Sequence, residues 1–325
     1  MFKNKNILVA GGTGLVGIQL VKLLKKEGAN IYVASLDKNI FKKNEIKKFF
    51  RLDLKDIKNC IKITKKIDIV FNLLGVTGSP KTNLQRPATF MMSNLYCAIN
   101  LLYAAQKNNV KRYLYTSTYG VYSHSSVMKE NSVWKTFPSE NDKFAGWAKR
   151  IGELQIEAYK KEFNFKSLHI VRPANIYGPN MNFNPKNSMV VGSLIRKIFS
   201  KNKKIEVWGD GENIRDFIYS EDVARFMINI VKKNIQVPIN IGSGKGIKIK
   251  DIIKIILNSK HLKNKPKIFF NTRMPSGDKK RVLDVKLAKK FGLINNTTSL
   301  KEGLENTIMW YLKNKKNLGK RFNFF

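Results

Sequence analysis

The sequence predicts an α/β protein: a doubly wound parallel sheet with a smaller, interleaved α+β substrate-binding unit. Three observations carry this reading. Short apolar strands alternate with amphipathic helices through the first half, a glycine-rich turn follows the first strand, and after about residue 180 the rhythm breaks into shorter elements and Lys/Asn-rich loops. Ile7-Leu8-Val9-Ala10 is a continuous apolar run, as a strand buried on both faces requires. A helix is predicted over 18–26, where Leu20, Val21, Leu23 and Leu24 recur at helical spacing. Further strands are expected at 31–34, 67–74, 113–116 and 167–171, with helices at 93–107 and 148–162 between or after them. In the first of these helices Leu95, Ala98, Ile99, Leu102 and Ala105 share a face. The late run Ile239-Asn240-Ile241 is expected to return to the main sheet. The part built on the main sheet is therefore assigned to 1–179 plus about 218–243, and the second part to about 180–217 plus 244–325.

Composition narrows the function classes. Of 325 residues, 43% are hydrophobic and 11% aromatic, enough for a substantial core and too many for a disordered chain. No apolar stretch reaches the ~18–20 residues of a membrane span, and a cytoplasmic location is expected. Cys60 and Cys97 cannot form a disulfide framework, and the scattered His124, His169 and His261 do not suggest a metal site. The formal net charge of +38 invites a nucleic-acid hypothesis. The lysines, however, are dispersed among Asn, Ile and Phe, with no basic helix, finger or aromatic RNA-binding signature, so no specific nucleic-acid partner is expected.

Gly11, Gly14 and Gly17 form a GxxGxxG pattern between the first strand and the first helix. Gly11 permits a tight turn, Gly14 lets the backbone approach a pyrophosphate, and Gly17 allows close helix-to-strand packing at the positive end of the helix. This is the context of a Rossmann-type dinucleotide site. Asp53, in Arg51-Leu52-Asp53-Leu54, can accept a hydrogen bond from an adenine amino group or can cap the following helix; both readings stand.

Four motifs in order resemble the extended short-chain dehydrogenase/reductases, the NAD(P)-dependent nucleotide-sugar epimerases and dehydratases. They are the glycine loop; Asn94 with Asn100-Leu101-Leu102; Arg172-Pro173-Ala174-Asn175-Ile176-Tyr177-Gly178-Pro179; and Arg215-Asp216-Phe217-Ile218-Tyr219 leading into Asp222-Val223-Ala224. The stretch from Tyr177 through Asn187-Ser188 to Val207-Trp208-Gly209-Asp210-Gly211 is most similar to GDP-L-fucose synthases. The resemblance implies NAD or NADP as cofactor, held by Thr13, Leu15, Val16, Asp37, Asp53, Leu54, Leu74, Gly75, Lys149 and Asn175 besides the glycines. It implies a nucleotide-diphosphate sugar near Thr77, Ser79 and Asn175, with Arg215 gripping its phosphates and Arg281 closing over the nucleotide. It also implies a homodimer through the helices at 93–107 and 148–162. Ser35 with Lys38 would suit a 2′-phosphate, whereas Asp37 would favour NAD by charge repulsion.

Chemistry in the family rests on a Ser or Thr, a Tyr, and a Lys four residues after the Tyr. Thr118 and Lys149 match, but Ala145 stands where the Tyr belongs. The epimerising Cys and His of the fucose synthases fall on Gly120 and Met189. Three readings follow: an active enzyme in which Tyr119, Tyr122, His124 or Glu130 carries the proton; a cofactor- and sugar-nucleotide-binding protein without hydride transfer; or a basic interaction protein built on the fold.

Overall fold

A computed structural model describes residues 1–76, 78, 85–123, 127–274 and 277–320. Thr77, Ser79 and His124 lie outside the described residues. The first strand, β1 (Asn6–Ala10), pairs in parallel with β2 (Asn30–Ser35) on one side and β4 (Ile69–Asn72) on the other. With β3 (Lys48–Arg51), β5 (Arg112–Thr116), β6 (Leu168–Pro173) and β10 (Ile239–Ile241) they form a seven-stranded sheet in the order β10-β6-β5-β4-β1-β2-β3. Every pairing in it is parallel. The late strand does return: Ile239 to Ile241 register with Val171 to Pro173.

Alternation along β1 shows why a parallel sheet forms. Ile7 and Val9 enter one core with Leu20, Val21 and Leu24 of α1 (Leu15–Lys26) and with α6 (Ser220–Lys232). Leu8 and Ala10 enter the opposite core, covered by α2 (Ile57–Thr64), α3 (Pro87–Lys107) and α4 (Lys143–Glu162). Both faces are dry, so neither tolerates the polar alternation of a half-exposed sheet.

Both long helices begin earlier than the apolar spacing predicts. Helix α3 starts at Pro87, whose missing N–H costs nothing in a first turn, and α4 starts at Lys143 after a short 3-10 turn at Glu140–Asp142. A third core lies beyond the main sheet, where Met181, Phe183 and Ile205 pack against α5 (Val190–Ile198), α7 (Ile249–Leu257) and α8 (Leu300–Asn314). A small sheet borders it: β9 (Ile214–Tyr219) runs parallel to β7 (Asn175–Tyr177) and β13 (Lys280–Arg281) and antiparallel to β11 (Gly246–Lys248). A parallel pair, β8 (Lys204–Trp208) with β12 (Lys267–Asn271), completes this region. Among the described residues no helix is long and apolar enough to cross a membrane.

Candidate active site

In the main sheet the strand order reverses between β1 and β4, and the loops after their carboxyl ends open the crevice where ligands of such sheets bind. The glycine turn sits there. Gly11 has φ +81° and donates its N–H to Ala34 O at 2.8 Å. A Cβ on Gly17 would lie 2.3 Å from Gly11 O, so only glycine lets α1 start this close to β1. No acidic residue occupies the first turn of α1, which leaves its positive end available to an anion. Leu15 and Val16 form that first turn. The buried Thr13 hydroxyl lies 2.6 Å from Ser35 Oγ and donates to Asp37 Oδ2 at 2.7 Å. The Asp37 carboxylate is thereby held against the glycine turn at the end of β2, the position that meets an adenosine ribose in a dinucleotide fold. The residues present fit a dinucleotide.

Asp53 is not the cap of α2. Its Oδ1 accepts the Lys55 N–H at 2.9 Å and its Oδ2 pairs with Lys55 Nζ at 3.3 Å, while Asp56 caps α2 itself. Leu54 is buried in the core beneath α2 and α3. Past β4, Leu74 and Gly75 are fixed by two side chains. Asn94 on α3 accepts from Val76 N at 3.1 Å and donates to Val76 O and Phe90 O. Lys149 on α4 donates to Leu74 O and to Thr116 O, each at 2.9 Å. Lys149 is buried, its ammonium 5.0 Å from the Tyr115 ring centre, and burial pushes its pKa down from 10.5 to about 8. It thus ties the loop after β4 to the end of β5, two residues before Thr118. The Thr118 Oγ1 accepts the Gly120 N–H at 3.1 Å and opens a 3-10 turn over Tyr119–Val121.

Several candidates prove to be occupied elsewhere. Tyr122 is buried in the core; its hydroxyl donates to Asn240 Oδ1 at 2.5 Å and accepts from Arg172 at 3.1 Å, so it does not face the crevice as a proton carrier. Glu130 accepts the Asn240 N–H at 3.0 Å and belongs to the same buried network. The Tyr119 hydroxyl donates to Asn175 Oδ1 at 3.0 Å, and burial, reinforced by the Asp142 charge, raises its pKa and keeps it protonated. Asn175 in turn donates to Asp216 O at 3.0 Å, so its amide bridges the 3-10 turn and the small sheet rather than presenting both ends to a diphosphate.

Arg215 and Arg281 are register partners on β9 and β13. Arg215 is half-buried and donates to Ile214 O at 2.9 Å; burial and the Arg281 charge both lower its pKa. Arg281 is buried, with Nη1 paired to Asp142 Oδ2 and Nη2 donating to Ser139 Oγ at 2.7 Å. Its Nε stands 2.7 Å from Asp278 Oδ2 as a charge contact rather than an aligned hydrogen bond, and its guanidinium lies 4.9 Å from the Tyr119 ring centre. The guanidinium is thus held by two carboxylates. Asp142, which has no counterpart in the sequence motifs, is the group that claims it; only the fold brings residues 139 places apart into contact.

The geometry is that of a dinucleotide-dependent sugar enzyme, and the chain belongs to the NAD dependent epimerase/dehydratase family, whose pattern matches residues 7–242. It is 27% identical over 312 residues to GDP-mannose 3,5-epimerase 1 of Oryza sativa subsp. indica, covering 94% of this chain and 81% of that protein. It is 26% identical to GDP-L-fucose synthase of Escherichia coli (strain K12), covering 95% and 97%. Among solved structures, UDP-glucose 4-epimerase of Thermotoga maritima with UDP-glucose superposes with a TM-score of 0.83 at 25% identity, covering 95% of this chain and 99% of that one. A GDP-L-fucose synthetase of Naegleria fowleri bound to NADP has the same TM-score at 21% identity, covering 98% and 95%, and shares the fold.

Proposed function

We propose that the protein is an NAD-dependent enzyme acting by hydride transfer on the hexose of a nucleotide-diphosphate sugar, with a GDP-sugar as the first substrate to try. The observation that carries the proposal is Lys149, a buried ammonium delivered to the carboxyl ends of β4 and β5, in the same crevice as the glycine turn. A cofactor bound there supplies a hydride acceptor and donor at its nicotinamide. The glycine turn and the free end of α1 would bind its pyrophosphate, Thr13 and Asp37 its adenosine ribose, and Lys149 its nicotinamide ribose. Thr118 would position the sugar hydroxyl, with Arg215 near the diphosphate. The GDP-sugar preference rests on likeness to the two GDP-sugar enzymes. We place the reaction in the cytoplasm.

The test is incubation with NAD(H) and a panel of GDP-, UDP-, dTDP- and CDP-hexoses, followed by NMR of the sugar ring. Conversion of at least one GDP-hexose is expected. Tight binding of both ligands without conversion of any sugar would instead make the chain a non-catalytic binding protein.

Asp37 should select the cofactor. A carboxylate at the ribose repels a 2′-phosphate, so NAD should bind at least about tenfold more tightly than NADP. Asp37→Ser should erase most of that preference in a fluorescence titration with NADH and NADPH; an unchanged ratio would remove Asp37 from the ribose. Met92, Tyr96 and Tyr103 of α3 and Leu154 of α4 leave exposed apolar surface on two mutually packed helices, and we propose that this face forms a homodimer, to be read by light scattering.

A further inference from the structure

The family's phenol is missing at Ala145, and the candidates flanking Thr118 in the described chain are tied into other bonds. Asp142 is different. It lies three residues before Ala145 and seven before Lys149, a spacing that puts all three on one side of α4 and the turn leading into it. Asp142 and Ala145 line the same small cavity, about 60 Å³, together with Phe90 and Phe144. The approach to Thr118 depends on two glycines. A Cβ on Gly146 would lie 2.4 Å from Gly120 O, so α4 can begin this close to the 3-10 turn only without a side chain there. A Cβ on Gly120 would stand 3.3 Å from both Asp142 Cγ and Thr118 Cγ2. The carboxyl group and the Thr118 methyl therefore both border the place into which a side chain at position 120 would project. Arg281 holds Oδ2, while Oδ1 accepts no hydrogen bond among the described residues, and about a fifth (21%) of the side chain is exposed.

We infer that Asp142 takes the place of the absent phenol as the proton-carrying group of the reactive centre. The inference rests on the reading of the chain as an NAD-dependent sugar enzyme. In the oxidising direction a sugar carbinol gives its hydride to NAD⁺, which becomes NADH, and its hydroxyl proton to Asp142 Oδ1, leaving a ketone; the reducing direction returns both. Thr118 hydrogen-bonds the same sugar oxygen, and Arg281 keeps the carboxyl oriented. The groups that face Asp142 are Arg281 and Asp278 from the segment around β13, Tyr119 from the 3-10 turn, Arg215 from β9, and Glu140 and Lys143 on its own element.

The test compares wild type with Asp142→Asn, which keeps the shape and the hydrogen bond to Arg281. The first readout needs no substrate. A carboxylate beside the nicotinamide favours the cationic ring of NAD⁺ over neutral NADH, so Asp142→Asn should lower the NAD⁺/NADH affinity ratio about three- to tenfold, whereas a purely structural role would move both affinities alike. The second readout is turnover of whichever hexose the panel identifies, which should fall at least about a hundredfold in Asp142→Asn and recover in part in Asp142→Asn/Ala145→Tyr, with the pH profile changed. Retained turnover or an unchanged ratio in a variant that still binds NADH overturns this inference alone. A wild-type protein that binds neither NAD⁺ nor NADH, or converts no sugar, overturns the functional reading and this inference with it. Should Asp142→Asn fail to bind NADH, Asp142→Glu, which keeps the charge, decides by the same ratio: wild-type-like supports the role and Asn-like overturns it.

Discussion

Lys149→Met is expected to weaken NADH binding at least about tenfold and to flatten the alkaline part of the stability profile. The first effect follows from position. The ammonium joins Leu74 O to Thr116 O, so its loss frees two strand ends that shape the crevice and removes the lysine that meets the nicotinamide ribose in the proposed complex. The second follows from linkage. In the unfolded chain the group titrates at its ordinary 10.5, in the folded protein at about 8. Between those values the unfolded chain carries a proton the folded protein has released, so folding becomes more favourable as pH rises from about 8 to about 10.5. Below about 8 both states are protonated and the buried charge costs the fold its full penalty, roughly 3 kcal/mol. Methionine has no such charge. Denaturant titrations from neutral pH upward, run with NADH fluorescence titrations, check both; parallel stability profiles for the two proteins would mean that Lys149 is not the group titrating there.

Glu153→Ala should be the most damaging single truncation away from the crevice, costing about 3–5 kcal/mol of stability. Arg172 donates through Nε and Nη2 to both Glu153 oxygens at 2.9 and 2.6 Å, and through Nη1 to Tyr122 and to Glu130 O. Both side chains are only 1% exposed. Burial alone would lower the Arg172 pKa, but the Glu153 charge more than reverses it; without that partner the guanidinium still keeps its proton, as guanidinium groups in proteins do. Truncating Glu153 strands that charge away from water. Glu153→Leu/Arg172→Met, which removes both charges, should recover much of the loss; urea denaturation of the three proteins measures it. A double variant as unstable as the single one would show that packing rather than charge dominates here.

Arg172 illustrates what motif reading misses. It heads the Arg-Pro-x-Asn-x-Tyr-Gly-Pro segment by which the family is recognised, yet it faces Glu153 in the interior. Within the same segment Asn175 bridges Tyr119 and Asp216, and Tyr177 packs edge-on against Phe217 and Tyr219. Sequence identity of residue type carried the family, while the tasks of the individual residues depended on partners 19 to 56 positions away. Asn94, matched only as part of a motif, turns out to clamp the loop after β4.

By itself the sequence determined what depends on neighbours along the chain: the strand-turn-helix order, the glycines at which α1 meets β1, the return of β10, and the substitution at Ala145. These are encoded by periodicity and by local steric limits, which act within a few residues. Tertiary structure alone decided where charge went. Arg281 lies buried between Asp142 and Asp278, Asp37 is folded back onto Thr13, and Tyr122 is withdrawn into the core. An ionised side chain taken from water must find a partner in space, and the nearest one in space has no fixed relation to the nearest in sequence. For the same reason the carboxylate that best fills the gap at Ala145 became visible only when α4 and the turn after β5 were packed through two glycines.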